Sequence, residues 1–400
     1  MTTSGVNPAG TGVRASRRMS RIVGFGIDRV ARGADLVTSR WPVLRLENLD
    51  TDLPLPPEAV PVTSAALTTP PANSWLPFTG DLDLRAAIAD LLLARTGHRY
   101  DPAEEVVVTS GGTEAALDCL LATIDPGDEV VLGDPTYAGL VNRVRLVGGV
   151  PRFAPYRVAG GEWRLDLDAL RAAVGPATRA LLLMSPSMPS GAVLDEDEWR
   201  AVCDLCRERD LLLIYDGAME SLLFDGRPFV HPVREPGMAE RTLVIGSLSK
   251  EFRMIGWRVG WVAGPRSLVE HVGWAHVYNT TTPVGIARAG ATAVLRGDHA
   301  HVAASAAELQ RRRDTILTGL AGLPLVRPAG GWSLLLDTVA MGVDPAEASR
   351  RLLRDGAVAA TAMTGWGDAV AARHIRFVFS AEPADRLATL PERLSAAGLR

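Results

Sequence analysis

A single lysine, Lys250, stands among the 42 basic residues of this 400-residue chain. Arginine can supply surface charge and ion pairs, but its guanidinium stays protonated and is a poor nucleophile. A primary amine is needed where a protein forms a covalent bond to an aldehyde. The lone amine, set in Gly246-Ser247-Leu248-Ser249-Lys250, therefore predicts Schiff-base chemistry. The plainer alternative is a surface lysine that was kept by chance.

A second group of residues could bind an anion. The segment Val108-Thr109-Ser110-Gly111-Gly112-Thr113-Glu114 runs from a predicted strand through two glycines into a predicted helix. Backbone N–H groups at a helix start, together with the Thr113 hydroxyl, form an anion cradle, although such turns are often purely structural. Ser247 and Ser249 flank the lysine, and Arg258 lies eight residues beyond it, so they could donate to the same phosphate. These parts predict a site for a phosphorylated aldehyde.

Two residues that follow predicted strands could bind an aromatic ring. Asp216 ends the apolar run 211–215, and a buried carboxylate there could keep a pyridine nitrogen protonated. Tyr137 follows another strand and could stack on the open face of such a ring. Each residue also has a structural alternative, which is turn capping for Asp216 and packing for Tyr137.

The elements that must position these residues alternate between short apolar runs and helical stretches. The predicted strands cover 106–108, 130–132, 180–184, 211–215, 243–245 and 261–263, and the predicted helices cover 114–124, 137–147, 167–174 and 195–209. This alternation predicts an α/β fold with a mostly parallel, seven-stranded-type sheet sandwiched by helices. Ligands of such sheets bind beyond the carboxyl ends of the strands.

The pattern changes after about residue 295. A long helix over 301–320 is followed by strands over 332–337 and 375–379 and by a terminal helix over 383–397. We therefore predict a large domain over 60–295 and a smaller α+β domain formed by 1–59 and 296–400. Residues 1–15 are expected to be disordered and to lead into a short amphipathic helix.

Composition excludes several classes of protein. The chain is 47% apolar and 22% charged with a net charge of −4, which does not suit nucleic-acid binding. It holds no apolar run long enough to cross a bilayer, and we expect no secretory signal, because the first 35 residues contain arginines but no long apolar core. Cys203 and Cys206 lie three residues apart inside a predicted helix, which favours core packing over a metal or redox site. We expect a cytoplasmic protein.

Taken together, these residues resemble the class I/II aminotransferases, which are fold-type I enzymes dependent on pyridoxal 5'-phosphate. The resemblance extends from about residue 17 to 397, and its most specific piece is the segment 247–260. It implies that Lys250 forms the internal aldimine and moves the Cα proton, that Asp216 pairs with the pyridinium, and that Tyr137 stacks on it. The implied phosphate ligands are Gly111, Gly112, Thr113, Ser247, Ser249 and Arg258.

Other matches concern the substrate and the assembly. The resemblance implies that Arg376 binds the substrate α-carboxylate and that Leu49 occupies the position of a glycine that contacts substrate. Asp50 and Asp52 beside it could face a cationic substrate tail or be solvated loop acids. Trp75 falls where the family usually has a tyrosine that reaches the phosphate of the neighbouring subunit, which implies a homodimer.

Two methionines depart from the family pattern. Met188 stands in the loop 185–191 where the family has an asparagine, and Met219 stands where it has a tyrosine. Both family residues donate to the phenolic oxygen of the cofactor, and a thioether cannot, which should raise the pKa of the imine. An aminotransferase acting on an α-amino acid through a carbanion is the leading prediction. The alternatives are a biosynthetic enzyme for elimination, replacement, cyclisation or carbon–carbon bond formation, similar to capreomycidine synthases, and a protein that only binds the cofactor.

Overall fold

The structure is a computed structural model that describes residues 15–399. The predicted N-terminal disorder therefore concerns residues outside this range, apart from Ala15. The predicted amphipathic helix is present as a ten-residue helix that buries Val30 and Ala34.

Strands in the described residues form three sheets. They are β1 (Leu44–Arg45), β2 (Val106–Thr109), β3 (Glu129–Asp134), β4 (Val150–Ala159), β5 (Glu162–Leu165), β6 (Thr178–Met184), β7 (Leu212–Asp216), β8 (Thr242–Ser247), β9 (Gly260–Ala263), β10 (Ser333–Asp337), β11 (Val358–Ala359), β12 (Thr361–Ala362) and β13 (His374–Val378). All six strands predicted for the large sheet, and the two predicted after it, lie at the expected places.

The α-helices of the same range cover and connect these sheets. They are α1 (Ile27–Leu36), α2 (Ala59–Ala66), α3 (Leu82–Thr96), α4 (Gly112–Thr123), α5 (Ala138–Val147), α6 (Leu167–Ala173), α7 (Glu196–Arg209), α8 (Arg266–Asn279), α9 (Arg288–Arg296), α10 (Ala300–Gly319), α11 (Pro345–Gly356), α12 (Ala384–Leu387) and α13 (Leu390–Ala396). The single terminal helix predicted over 383–397 is wrong, because two helices occupy this segment. Pro391 has no N–H to continue a helix and stands in the first turn of α13 instead.

The large sheet has the strand order β2-β9-β8-β7-β6-β3-β4-β5. Its core from β8 to β4 is parallel, whereas β9 and β5 run antiparallel to their neighbours. The predicted α/β class is confirmed. The eighth strand, β5, pairs with β4 in a hairpin that was not predicted, because β4 is largely accessible to solvent and lacks a continuous apolar run.

Two smaller sheets combine the beginning and the end of the chain. β10, β13 and β12 form an antiparallel sheet, and β1 pairs in parallel with β11. The Val378 N–H also donates to Leu46 O at 2.9 Å, which joins β13 to the N-terminal segment. The proposed domain boundaries at residues 59/60 and 295/296 remain a prediction. No helix of the described residues is long and apolar enough to cross a membrane.

Cys119, Cys203 and Cys206 are buried and free of disulfide bonds. Burial raises the pKa of the Cys203 and Cys206 thiols to about 12, so both stay protonated at neutral pH. A protonated, buried thiol is neither a nucleophile nor a metal ligand, which agrees with the predicted packing role.

Candidate active site

The carboxyl ends of the parallel strands meet at one edge of the large sheet, and the predicted site residues collect there. Asp216 is the last residue of β7, and Lys250 lies three residues after the end of β8. The glycine turn 111–112 follows β2, and Tyr137 follows β3. Residues separated by more than a hundred positions in the chain therefore share one edge, as expected for a parallel sheet.

Lys250 is held by backbone and aromatic groups rather than by a carboxylate. Its Nζ donates to Leu49 O at 3.1 Å and lies 4.2 Å from the centre of the Trp332 ring. Within residues 15–399 it forms no ion pair within 4.0 Å. Burial, reinforced by the nearby charge of Arg376, lowers its pKa to about 7. A substantial fraction of this amine is therefore unprotonated at neutral pH, as a nucleophile requires.

Asp216 is a buried carboxylate that lacks a cationic partner among the described residues. Its Oδ1 accepts a hydrogen bond from Ala218 N at 3.1 Å. Burial raises its pKa to about 6, while Arg143 and Lys250 oppose this rise from beyond ion-pair distance. A buried acid of this kind favours binding a group that brings its own positive charge or its own proton.

Arg376 is a fully buried guanidinium in the middle of β13. Its Nη2 donates to Glu47 O at 2.7 Å, and its Cζ lies 4.4 Å from the centre of the Trp366 ring. Its Nε and Nη1 have no hydrogen-bond partner within the described part of the chain. Burial lowers its pKa to about 9. Because buried donors are normally satisfied, these two indicate an anionic ligand.

Glycines bring Arg258 against the turn that follows β2. Gly111 has a φ of +93°, and a Cβ at this position would collide with the Arg258 guanidinium. A Cβ at Gly260 would lie only 2.5 Å from the Gly111 carbonyl carbon. Arg258 donates from Nη1 to Ser249 Oγ at 3.3 Å and from Nη2 to Ser110 O at 3.2 Å. A cation and a hydroxyl therefore meet the N-terminus of α4, a combination that suits a phosphate.

The remaining predicted phosphate ligands surround the same turn. Gly112 begins α4, with Thr113 next to it, and an added Cβ on Gly112 would lie 3.4 Å from Ser247 Cβ. Ser247 Oγ accepts a hydrogen bond from Ser249 N at 3.1 Å. The loop that carries Lys250 is thus packed against the anion cradle.

Tyr137 belongs to an aromatic cluster whose other members were not predicted. Its ring stacks on Phe25 with centroids 5.9 Å apart and meets Trp366 edge-on at 5.6 Å. The Trp366 Nε1 donates to Phe25 O at 3.2 Å. Burial raises the pKa of Tyr137. The N-terminal segment and the C-terminal part of the chain therefore both reach the site.

Asp50 and Asp52, the two acids in the loop after β1, have different partners. Asp52 forms an ion pair with Arg312, with Oδ1 2.6 Å from Nη1. Asp50 accepts a hydrogen bond from Thr51 N at 2.8 Å and forms no ion pair with any residue in 15–399. Leu49, between them and β1, provides the carbonyl that binds Lys250. Asp52 is thus a structural residue, whereas Asp50 is an exposed carboxylate without an ion pair whose charge acts on Lys250.

Met188 and Met219 are both buried, and neither thioether can donate a hydrogen bond. Met219 packs against Gly331, where an added Cβ would lie 3.7 Å from its Cε. The Tyr215 hydroxyl is already engaged, because it donates to Ser185 O at 3.1 Å.

Trp75 is exposed over 72% of its surface and meets Phe78 edge-on at 5.9 Å. Large exposed aromatic side chains of this kind are typical of protein–protein contacts.

Two further contacts of the site had only weak signals in the sequence. Trp332 follows Gly330 and Gly331, and the φ of +80° at Gly331 marks a tight turn that sets the ring beneath Lys250. Asp134 accepts from Val370 N at 2.8 Å and Ala371 N at 2.9 Å, tying the end of β3 to the segment that carries Trp366. A glycine pair before a strand is the only local hint of the first contact.

Comparison with known proteins identifies relatives along nearly the whole chain. Residues 44–394 match the model of the family described as aminotransferase class I and II. The chain is 35% identical over 365 residues to an arginine–pyruvate transaminase of Pseudomonas aeruginosa, covering 89% of this chain and 88% of the relative. It is 32% identical over 315 residues to the aspartate/prephenate aminotransferase of Thermus thermophilus, covering 77% and 79%.

Solved structures agree with these matches. N-succinyldiaminopimelate aminotransferase from Mycobacterium tuberculosis superposes with a TM-score of 0.89 at 31% identity, covering 96% of this chain and 100% of that one. The aspartate aminotransferase of Thermus thermophilus with maleate superposes with a TM-score of 0.88 at 30% identity, covering 96% and 99%. The chain is therefore a member of the aminotransferase class I and II family, a family of pyridoxal-phosphate-dependent enzymes.

Proposed function

We propose that this aminotransferase holds pyridoxal phosphate at Lys250 and acts on an amino acid with a cationic side chain. The observation that carries the cofactor assignment is a sole lysine with a pKa lowered to about 7, placed among Asp216, Arg258 and Arg376. A nucleophilic amine, a buried acid and two guanidiniums match the aldehyde, ring nitrogen and phosphate of the cofactor and the carboxylate of the substrate.

The residues present fit the cofactor part by part. When bound, pyridoxal phosphate supplies an aldehyde for the covalent link and a ring that accepts the electron pair released at the substrate Cα. Asp216 has no cationic partner in the described chain, so its buried carboxylate is available to the ring nitrogen. Tyr137 provides an aromatic face on which the ring could stack. The phosphate would lie among the cradle residues Gly111, Gly112, Thr113, Ser247, Ser249 and Arg258.

Lys250 has a second task, which is proton transfer at the substrate Cα. A group whose pKa lies near the working pH both accepts and releases a proton readily, and burial brings the Lys250 pKa to about 7. The Leu49 carbonyl and the Trp332 ring hold its Nζ without neutralising it by a carboxylate. The amine thus remains available as a base once the substrate has displaced it.

Arg376 would orient the substrate by its α-carboxylate. A carboxylate bound to Nε and Nη1 would satisfy the two unpartnered donors of a fully buried guanidinium. The Trp366 ring and the Glu47 carbonyl already fix the guanidinium plane, so little conformational freedom is lost on binding.

Asp50 supports the choice of a cationic substrate. It is an exposed acid whose charge acts on Lys250, and it has no ion pair in the described chain, in contrast to Asp52. When the Lys250 amine is neutral, Asp50 no longer has the cation on which its charge acts, and its exposed carboxylate is free to bind another. A guanidinium or ammonium on the substrate would restore it. The likeness to an arginine–pyruvate transaminase supports the same substrate class.

The test of this function measures the keto-acid product from arginine, ornithine, norleucine and glutamate with pyruvate as the acceptor. Asp50→Asn should lower kcat/KM for arginine by about tenfold, the usual effect of losing one charge-assisted contact, and leave norleucine unchanged. Asp52→Asn is the matched control. Equal activity of Asp50→Asn on arginine would refute the substrate class, and borohydride treatment that leaves Lys250 unmodified in cofactor-containing protein would refute the cofactor site.

A homodimer with Trp75 reaching the neighbouring site is part of the same proposal. The exposed aromatic pair of Trp75 and Phe78, with Leu82 also exposed, supports a contact at the start of α3. Sedimentation of the wild type should give a dimer, and Trp75→Ala should weaken it. A cytoplasmic location is proposed on the reduced, buried cysteines alone.

The second reaction considered from the sequence rests on Met188 and Met219. Both are buried and neither can donate a hydrogen bond, so the electronic properties of a bound cofactor would differ from those in relatives that keep the donors. Ammonia and keto acid released from β-chloroalanine without an amino acceptor would support elimination. Restoring the donors with Met188→Asn and Met219→Tyr should then suppress that release.

A further inference from the structure

A buried ion-pair group joins the two turns that carry the main site residues. Arg95, near the end of α3, contacts Glu220 from Nη1 to Oε1 at 2.6 Å and Glu251 from Nη2 to Oε2 at 2.8 Å. Both glutamates are at most 3% exposed, and the Arg95 side chain is 14% exposed. We call these three residues the Arg95 clamp.

The clamp residues adjoin the site residues in sequence. Glu220 lies four positions after Asp216, and Glu251 directly follows Lys250. A direct bond runs between the same turns, because Ser221 N donates to Glu251 Oε1 at 2.5 Å. Any movement of one turn relative to the other must therefore break contacts with Arg95.

Two buried carboxylates this close to each other depend on the cation between them. Burial raises the pKa of both Glu220 and Glu251, and Arg95 opposes that rise. The pKa of Arg95 itself is raised, since the attraction of the two glutamates exceeds the effect of its burial.

Among the described residues, no other permanently charged group forms an ion pair with Glu220 or Glu251. The neighbouring His231 is 3.5 Å from Glu220, but burial and the charge of Arg95 lower its pKa to about 3. The other charged or titratable groups that face the glutamates are Tyr100, Tyr215, Asp216 and Arg234. Of these only Arg234 is cationic. Its charge lowers the pKa of Glu220, but its Nη2 donates to Arg95 O and not to a glutamate.

We propose that Arg95 is a positioning residue of the aminotransferase site, which sets the distance between the Asp216 turn and the Lys250 turn. The inference rests on the proposed cofactor site, because the Asp216 turn would bind the ring nitrogen of the cofactor and the Lys250 turn would carry the amine that binds its aldehyde. Loss of the cation leaves two buried glutamates that must take up a proton, and the turns separate or reorganise as a result.

A second arginine of the chain provides a matched control. Arg164 also bridges two carboxylates, with Nη2 2.6 Å from Asp195 and Nη1 3.0 Å from Glu198. These acids form the capping box of α7, 18 or more positions before Asp216, and the hydrogen bonds and ion pairs of their side chains are made with Arg164, Leu165 and each other. Arg164→Met therefore removes a similar pair of contacts without touching the site.

The experiment compares holoenzymes of the wild type, Arg95→Met, Arg95→Lys and Arg164→Met. Kinetic constants and the visible absorption of the bound cofactor are both followed from pH 5.5 to 9. Arg95→Met should lower kcat by about 10- to 100-fold, as small misplacements of reacting groups do. Its KM should change little. Both its kcat and its absorption should gain a titration from the unpaired glutamates, whose pKa burial raises above the ordinary carboxyl value. Arg95→Lys should recover part of kcat and remove the new titration.

The outcomes separate positioning from simple stabilisation. The triple variant Arg95→Met, Glu220→Gln and Glu251→Gln should lose the new titration, because no ionisable pair remains. Arg95→Met with the wild-type absorption titration and pH profile, and only a lower melting temperature like that of Arg164→Met, would overturn the proposal. A wild type that shows no cofactor absorption would instead refute the cofactor assignment on which the proposal depends.

Discussion

Two groups of charged residues in the protein interior differ in whether each charge has an ionic partner. The first is the active site, with Lys250, Asp216 and Arg376. The second, which we call the His276 group, comprises Glu114 and Asp118 of α4 and His276 of α8. In the active site each charge lacks an ionic partner within 4.0 Å in the described chain, whereas in the second group the charges contact one another.

The pKa values follow this difference in partners. Burial lowers the pKa of Lys250 to about 7 and that of Arg376 to about 9, and it raises the pKa of Asp216 to about 6. In every case the shift favours the neutral form. In the His276 group burial also favours the neutral form, because it lowers the pKa of the imidazole. Hydrogen bonds to Asp118 and Glu114 outweigh it, however, and raise the pKa of His276 to about 9.

The comparison shows how a ligand site differs from a structural ion-pair group inside one fold. His276 Nδ1 lies 3.2 Å from Glu114 and 3.6 Å from Asp118, so its charge is compensated within the protein. Arg376 instead keeps two unpartnered donors. Burying a charged group without a partner lowers the stability of the folded protein. Such a group is retained where a ligand supplies the missing partner.

The largest expected effect tests whether the neutral amine of the active site is essential. Lys250→Ala should reduce turnover by at least about 10³-fold, as loss of a nucleophile that also transfers the proton does. Lys250→Arg should be equally inactive, because a guanidinium keeps the charge and cannot form the covalent link. Steady-state turnover measures both, and substantial activity of Lys250→Arg would show that charge rather than nucleophilicity matters at this position.

A smaller effect is expected at the unpartnered guanidinium. Arg376→Met should lower kcat/KM for amino acids by about 10²- to 10³-fold, the effect of removing one partner of a buried charge pair. The variant should also be no less stable than the wild type, since it removes an uncompensated buried charge. Arg373→Met, which loses only an exposed contact with Asp337, serves as the control. A strongly destabilised Arg376→Met would contradict the assignment of Arg376 as a residue that awaits a ligand.

The smallest effect concerns stability in the His276 group. Because the folded pKa of about 9 exceeds the unfolded value of 6.5, His276 contributes stability that is complete below about pH 6.5. The contribution is lost as the pH rises through 9. His276→Gln should therefore lower the free energy of unfolding by about 3 kcal/mol at pH 6, and by progressively less at higher pH.

Calorimetric unfolding from pH 6 to 10 checks this dependence. His271→Gln, at an exposed position on the same helix, is the matched control and should show no such trend. A difference between the wild type and His276→Gln that stays constant with pH would mean that the imidazole acts only by packing.

Much of the site could be predicted because its chemistry is encoded locally. Lys250, Ser249 and Arg258 lie within ten residues of one another, and Gly111 with Gly112 marks the cradle directly after a recognisable strand. Regular strand–helix alternation then predicts that such segments meet at one sheet edge. The hairpin strand β5 and the division of the terminal helix were missed, since exposed strands and single prolines leave weak patterns.

Partners that are distant in sequence could not be predicted. The Leu49 carbonyl that binds Lys250 is 201 positions away, and Asp52 finds Arg312 across 260 positions. From the sequence alone Asp50 and Asp52 could not be distinguished. Only the fold shows that Asp52 forms an ion pair and that Asp50 does not. The contact between Trp366 and Arg376 and the ion pairs of Arg95 with Glu220 and Glu251 likewise join residues that only the fold brings together.

The sequence by itself determined the kind of chemistry, because a lone amine has one property that arginine lacks. It also determined the α/β class, because the period of apolar residues reflects which faces each segment must bury. The tertiary structure decided which charges are compensated, and through burial it decided their pKa values. That information lies in distances between remote segments, and these exist only once the chain has folded.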